Sequence, residues 1–163
     1  MEFGIRPIGI EVLEAVYDVE TACFLTPWEK KDIAKDMAEN PCARYLGVFS
    51  EGKLIGYGSL WFIMEEGHVM SVAILPEYRR LGAGEALMRA LMQTASNGGA
   101  RYMELECRAG NTAAKAMYHK LGFLRVGCRK GYYTDTGEDA IVYALIAMPT
   151  PHPEDDPFLR EIP

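Results

Sequence analysis

Two stretches of this chain carry residues whose types and spacing can do chemistry. The first is PEYRRLGAGEALMRAL, Pro76 to Leu91, where Arg79 and Arg80 run into Gly82-Ala83-Gly84 and then into an Ala/Leu-rich helical pattern. A glycine-rich helix start behind a strand is an anion cradle, because the first amides of a helix have no intrahelical acceptor and the helix dipole adds positive potential. The amides of residues 82 to 85 would face the anion, and glycine at 82 and 84 keeps a Cβ out of its way. Arg79 and Arg80 can add charge-assisted contacts. Other phosphate motifs fit badly: the P-loop's Gly-Lys-Ser/Thr is absent, and the third glycine of a dinucleotide fingerprint is replaced by Leu87.

The second stretch is LECRAGNTAAKAMYHKLGF, Leu105 to Phe123. Glu106 falls at the C-terminal end of a predicted strand, where open α/β sheets place their ligands. Alternation puts Tyr102, Glu104 and Glu106 on one face and Met103, Leu105 and Cys107 on the other. Asn111 reads as a helix N-cap, and Ala114, Met117, Tyr118 and Leu121 form one stripe at helical spacing. Each feature alone also has an ordinary reading: a core tyrosine, a solvated strand-end carboxylate, a tight turn with two solvated arginines.

The elements that must position these residues are legible. A short strand at 3–8 precedes helices at Glu11–Ala22 and Glu29–Glu39, separated by FLTPW with Pro27 as breaker. Three hairpin-linked strands follow between Ala43 and Leu75, with turns at Glu51-Gly52 and Glu65-Glu66-Gly67. A helix at Gly82–Ser96 presents Ala83, Ala86, Leu87, Ala90 and Leu91 as its apolar face and ends at Asn97-Gly98-Gly99. A strand at 102–107, a helix at Asn111–Leu121 closed by Gly122, and two strands around 123–133 and 139–147 complete the pattern. The strand–helix–strand–helix–strand passage predicts an α/β protein with a mixed sheet covered on both faces. Residues 1–148 read as one domain, and the proline-rich acidic stretch 149–163 as a flexible or loosely docked tail.

Bulk composition narrows the function classes. A 163-residue chain, nearly half apolar, suits one compact domain. A net charge of −6 argues against nonspecific nucleic-acid binding and favours cationic partners. There is no membrane-length apolar run and no signal-peptide pattern, so a cytoplasmic protein without membrane association is expected. Cysteines at 23, 42, 107 and 128 form no CxxC pair and are expected to be reduced and mostly buried. Three scattered histidines offer no metal motif, so no metal is expected. A cysteine acyl-enzyme built on Cys107 with His68 or His119 lacks a recognisable spacing, and alternation turns Cys107 away from Glu106.

Taken together these motifs resemble a known family. RRLGAG is similar to the Arg/Gln-x-x-Gly-x-Gly/Ala signature of the GNAT superfamily of acetyl-CoA-dependent N-acetyltransferases. LECRAGNTAAKAMYHKLGF, RKGYYTDTGEDAIVYAL and the Pro27-Trp28 pair resemble its branch of ribosomal-protein alanine N-terminal acetyltransferases. The likeness runs from about residue 3 to 148; Gly110 stands where serine is common and Tyr143 where methionine is often seen.

The resemblance implies a mostly antiparallel mixed sheet, splayed between its fourth and fifth strands, with acetyl-CoA in the gap. Arg79 or Arg80 and the backbone of Leu81, Gly82, Ala83, Gly84 and Glu85 would hold the pyrophosphate. Val72, Ala73 and Ile74 would pair with the pantetheine, and Asn111 would contact its arm. A backbone amide, that of residue 74 for instance, would polarise the thioester carbonyl. An α-ammonium group with a pKa of about 7.7–8.0 must lose a proton before it attacks. The resemblance assigns that base to Glu106, acting directly or through water, and the proton donor to the leaving thiolate to Tyr118. Trp28, Tyr132 and Tyr133, with the TDTGEDA turn, would wall the acceptor site.

The expected acceptor is a protein N-terminus, such as that of a ribosomal protein, and the expected state a monomer or weak dimer. Two other readings stay open: a GNAT enzyme acetylating a small amine or a protein lysine, and a catalytically silent acyl-CoA-binding regulatory module.

Overall fold

The computed structural model describes residues 2–158. Seven strands form one sheet: β1 (Gly4–Pro7), β2 (Ala43–Ser50), β3 (Lys53–Ile63), β4 (Glu66–Ile74), β5 (Tyr102–Arg108), β6 (Leu124–Tyr133) and β7 (Glu138–Leu145). Their order is β1-β2-β3-β4-β5-β7-β6. Four helices interrupt them: α1 (Leu13–Cys23), α2 (Lys30–Glu39), α3 (Ala83–Asn97) and α4 (Thr112–Lys120). Every strand pair is antiparallel except β4–β5, so the sheet is mixed as expected.

The parallel pair is also the shortest. β4 and β5 match only at Glu66↔Tyr102, Gly67↔Met103 and His68↔Glu104, although both strands continue for several residues. The cause lies on the other side of β4. Ser59 pairs with Ser71 and the next pair is Leu60 with Val69, so Met70 is an extra residue on β4. A bulge of this kind bends its strand. It sits two residues beyond the last β4–β5 pair, and the strands part there. The expected splay between the fourth and fifth strands is therefore present.

Two apolar layers hold the helices on opposite faces. Leu87, Met88, Leu91 and Ala95 of α3, with Tyr118 of α4 and Leu121 just after it, pack on Leu60, Val69, Met103, Leu105 and Phe123. Val16 and Val19 of α1 and Ile33 of α2 pack on Tyr45, Phe49, Tyr57 and Ala73 across the sheet. The helix periodicity read from the sequence selects this packing, with Met88 and Met92 added to the buried face of α3.

Two local expectations, the second turn and the burial of the cysteines, need correction. The second hairpin turns at Met64-Glu65, one residue earlier than expected, with Met64 in a left-handed conformation at φ 57°. Glu66 and Gly67 belong to β4, because Glu66 pairs with both Ile63 and Tyr102. Asn111 is the N-cap of α4 as expected, its Oδ1 accepting from the Ala114 amide at 3.1 Å. Only Cys107 of the four cysteines is buried; Cys42 is exposed, and all four are free thiols.

Described tail residues lie against the end of α3. Gln93 Nε2 donates to Thr150 O at 2.9 Å, the His152 amide donates to Asn97 Oδ1 at 2.6 Å, and Ser96 donates to the Pro149 carbonyl. Residues 159–163 of the tail lie outside the described residues. Among the described residues no helix is long and apolar enough to cross a membrane.

The β3–β4 contact leaves no room at Gly56. A Cβ there would lie 2.7 Å from the Ala73 carbonyl oxygen and 2.5 Å from Ile74 Cδ1, whereas one at Gly4 would meet nothing within 4 Å. Gly56→Ala is expected to cost about 1–3 kcal/mol and lower the melting temperature by about 3–10 °C. Gly4→Ala should stay within about 0.5 kcal/mol of the wild type. Calorimetry of the two variants checks both.

Candidate active site

Beyond the last β4–β5 pair the two strands border a cleft of about 510 Å³. Val69 to Val72 of β4 line one side, and Leu105 to Arg108 of β5 line the other. Glu106 projects from one face of β5, while Tyr118 packs on the other face with Leu105 and Cys107. Both line the same cleft, because the gap between strands joins the two faces.

The surroundings of the two groups differ. The Glu106 side chain is 13% exposed, with Oε1 3.5 Å from Arg129 Nη2 and 3.9 Å from His68 Nε2. Tyr118 is 7% exposed, its ring against Phe123 and Tyr143 at centroid distances of 5.9 and 5.8 Å. Burial pushes its phenol above the usual tyrosine range, so the hydroxyl keeps its proton at neutral pH. That hydroxyl bonds no described residue, yet no polar side-chain atom is sealed without a partner among the described residues. The Tyr118 oxygen therefore opens onto the cleft that the residue lines.

The edge of β4 facing the gap is unpaired beyond His68. The Leu75 amide donates to Ile55 O at 2.8 Å, which fixes the alternation of the antiparallel β3–β4 ladder. Ala73 then points its amide at β3, while those of Val72 and Ile74 point into the gap. The Ile74 carbonyl points the same way and accepts from Arg79 Nε at 2.9 Å and Cys23 Sγ at 3.3 Å. Arg79 thus braces the end of β4 as well as standing at the cradle.

The cradle is built with backbone in the left-handed region. Arg80 has φ 64° and Gly82 φ 89°, and the first intrahelical bond recorded at the start of α3 is Ala86 N to Gly82 O at 3.0 Å. The amides of Ala83, Gly84 and Glu85 precede that bond and point out of the helix end. Alternating backbone hands of this kind turn successive amides toward one point, and a non-glycine residue held at positive φ costs energy. The Glu85 side chain is drawn aside, 2.9 Å from Lys120 Nζ and 3.0 Å from Arg89 Nη2, and these bonds hold its carboxyl below the usual range. Leu81 is exposed beside the cradle. Asn111 reaches the cleft lining while it caps α4.

Two loops stand over the cleft on the side away from the α3 start. Trp28, Tyr132 and Tyr133 all line it, the tyrosine rings edge-to-face at 5.2 Å. Two residues without a role in the sequence motifs, Glu20 and Arg108, hold this wall together with Asp135 of the TDTGEDA turn. Glu20, 2% exposed on α1, accepts from Tyr57 Oη at 2.5 Å and from the Trp28 amide at 2.9 Å. Arg108 at the end of β5 grips Asp135 in the β6–β7 turn through two bonds, at 2.9 and 2.7 Å. Asp135 accepts in turn from Thr26 Oγ1 at 2.8 Å, so the α1–α2 loop and the β6–β7 turn are tied together. The Arg108 guanidinium also covers the Tyr133 ring at 4.1 Å. Those bonds, Arg108's first and Thr26's second, hold the Asp135 carboxyl well below its usual range. A sequence signal existed for Glu20, an acidic residue on the Val16, Val19, Cys23 stripe of α1. Arg108 lies within the LECRAGN stretch, and its partner Asp135 is distant in sequence.

Cys107 faces the core and burial raises its thiol, which disfavours the thiolate a cysteine nucleophile needs. Potential metal ligands group among the described residues only at His152, Glu154 and Asp155, all exposed and outside the cleft lining.

Comparison with known proteins agrees with this geometry. The profile of the acetyltransferase (GNAT) family matches residues 13–123. A Bacillus subtilis (strain 168) protein is 38% identical over 139 residues, covering 85% of this chain and 92% of its own; its provisional name is that of a [ribosomal protein bS18]-alanine N-acetyltransferase. The Escherichia coli (strain K12) [ribosomal protein bS18]-alanine N-acetyltransferase is 35% identical over 137 residues, covering 82% of this chain and 90% of its own. The crystal structure of the ribosomal-protein-S18-alanine N-acetyltransferase from Escherichia coli superposes with a TM-score of 0.83 at 32% identity, over 91% of this chain and 96% of that one. Sequence profile, relatives and site geometry converge, and the chain belongs to the GNAT family of acetyltransferases.

Proposed function

We propose that this protein moves the acetyl group of acetyl-CoA onto the N-terminal α-amino group of a protein, with an N-terminal alanine of a bS18-type ribosomal protein as acceptor. The observation that carries the reading is that Glu106 and Tyr118, set on opposite faces of β5, reach one cleft through the β4–β5 gap. Relatives more than 30% identical over most of their length bear that activity in their names.

The residues present suit acetyl-CoA. The outward amides of Ala83, Gly84 and Glu85 and the charges of Arg79 and Arg80 suit a pyrophosphate. At Gly84 the nearest protein atoms to an added Cβ are 3.7 Å away, so packing alone does not demand glycine there, and the bare backbone leaves space for a ligand. The outward amides of Val72 and Ile74 and the outward carbonyl of Val72 suit an extended amide-bearing arm lying along β4 as an added strand, while the Ile74 carbonyl is already held by Arg79 and Cys23. Asn111 borders the same path.

The chemistry follows from the two faces. Glu106 takes a proton from the acceptor ammonium, directly or through one water, and the neutral amine attacks the thioester carbon. The outward Ile74 amide polarises the carbonyl oxygen. Tyr118, a weak acid in its apolar setting, donates a hydrogen bond to the departing sulfur as negative charge grows on it. Trp28, Tyr132 and Tyr133 seat the first residues of the acceptor chain between the two tied loops.

Glu106→Gln is expected to lower kcat/KM about 10²–10⁴-fold with an N-terminal alanine peptide, the range of a lost general base. Tyr118→Phe should lower kcat about tenfold or more, with little change in KM for acetyl-CoA. The assay is CoA release with free N-terminal Ala, Ser, Met and Gly peptides, an N-terminally blocked lysine peptide, and spermidine. Turnover confined to the free N-termini is the expected result; turnover with spermidine or the blocked lysine peptide would move the activity to another amine. Asp135→Asn unties the two loops, so KM for the peptide should rise about fivefold or more while KM for acetyl-CoA stays unchanged. Steady-state titration of each substrate separates the two constants.

A further inference from the structure

The two oxygens of Glu106 have different surroundings. Oε1 stands between His68 Nε2 at 3.9 Å and Arg129 Nη2 at 3.5 Å. Oε2 forms no hydrogen bond or ion pair with any described residue. A base that has taken the ammonium proton must release it before the next turnover. While acetyl-CoA and the acceptor chain fill the cleft, a proton that leaves Glu106 before product release needs another exit. Of the two groups beside Oε1, the guanidinium is permanently charged and cannot accept a proton. An imidazole can accept at one nitrogen and release from the other near neutral pH.

His68 is placed for this. It is the last β4 residue paired with β5, so the ladder fixes its backbone beside the start of the gap. It is absent from the cleft lining, and its side chain is 32% exposed. The charged and titratable groups around it sort clearly. Glu104 and Glu106 come from β5, but the Glu104 carboxylate already accepts from Tyr102 Oη at 2.7 Å, leaving Glu106 as the acid within ion-pair reach. Arg129 comes from β6 and meets the same oxygen of Glu106. On β3 the register partner is Trp61, whose indole donates to Asp36 of α2 at 3.2 Å.

We propose that His68 is the proton outlet of Glu106, which rests on the reading of Glu106 as the base. The N–H bond of the acceptor ammonium breaks as the proton joins the Glu106 carboxylate. That O–H bond breaks as an N–H bond forms at His68 Nε2, after side-chain closure of the 3.9 Å gap or through one water. The imidazolium returns a proton to bulk water from Nδ1, which restores a neutral imidazole and an ionised Glu106. Arg129 takes no proton; it holds Oε1. His68 touches no reacting atom and acts through Glu106 alone.

The test is steady-state CoA release with an N-terminal alanine peptide from about pH 6 to 9, in low and high imidazole, for wild type, H68Q, H68N and E106Q. H68Q is expected to lower kcat about five- to tenfold, less than loss of the base itself, with both KM values unchanged. Its kcat–pH profile should differ in shape from that of the wild type, and imidazole buffer should restore most of the lost turnover. H68N, read beside it with melting curves for both variants, should behave in the same way. Wild-type kcat and pH profile in the His68 variants, a rise in KM without a fall in kcat, or a deficit that imidazole does not relieve would each overturn the outlet. E106Q separates the two layers. If it is inactive in every buffer while the His68 variants turn over normally, only the outlet fails. If E106Q turns over normally, the base assignment fails and the outlet with it.

Discussion

The separation of β4 from β5 is the constraint on which the rest of this structure depends. A sheet normally closes the space between its neighbours with hydrogen bonds, and side chains on its two faces cannot meet. Here one extra residue, Met70, bends β4 two positions beyond its last pairing with β5. The bend frees the outward amides and carbonyls of Val72 and Ile74 and lets Tyr118 and Glu106 share a cleft from opposite sides. Unpaired backbone inside a protein is costly unless something else satisfies it. Part of that need is met internally, since Arg79 and Cys23 both donate to the Ile74 carbonyl. The remaining groups are open for an extended ligand.

The rest of the molecule keeps this opening in one shape. α3 and α4 pack on one face and α1 and α2 on the other, so neither half of the split sheet can swing freely. The start of α3 lies just beyond the end of β4, where Arg80 and Gly82 take the left-handed region and the amides of Ala83, Gly84 and Glu85 precede the first intrahelical bond. Over the cleft lined by Trp28, Tyr132 and Tyr133, two ties set the wall. Glu20 anchors the Trp28 backbone from inside α1, and Arg108 joins the end of β5 to Asp135, which holds Thr26. Each tie pairs a carboxylate with charged or polar donors in partly dry surroundings, where such bonds are shorter and more directional than on an open surface. The Arg108 tie begins two residues beyond Glu106, so the strand that carries Glu106 also anchors the loops over the cleft.

Much of this was legible in the chain. Helix boundaries came within one or two residues because caps and stops are local: Asn111 before α4, Gly122 after it, and Gly82 before α3 each satisfy a backbone requirement within a turn. The two faces of β5 followed from strict alternation, and the core face proved to be Met103, Leu105 and Cys107. The turn after β3 was misplaced because Met64, a residue with no turn preference, takes the left-handed position. Pairing of Glu66 with strands on both sides overrode the local glycine signal.

By itself the sequence determined the elements, their amphipathic faces, the cradle, and the residue types able to move protons, since periodicity, caps and side-chain chemistry act over a few residues. The tertiary structure alone decided which distant groups meet. Met70 reads as an ordinary strand residue until its β3 partners are known. Arg108 and Asp135 are 27 positions apart, and Glu20 and Tyr57 are 37 apart. His68 is separated from Glu106 by a whole helix, and only the short parallel pairing of β4 with β5 brings an imidazole to within 3.9 Å of the carboxylate. Such encounters depend on strand order, register and the point where two strands part, and none of these is written in the local pattern of the residues involved.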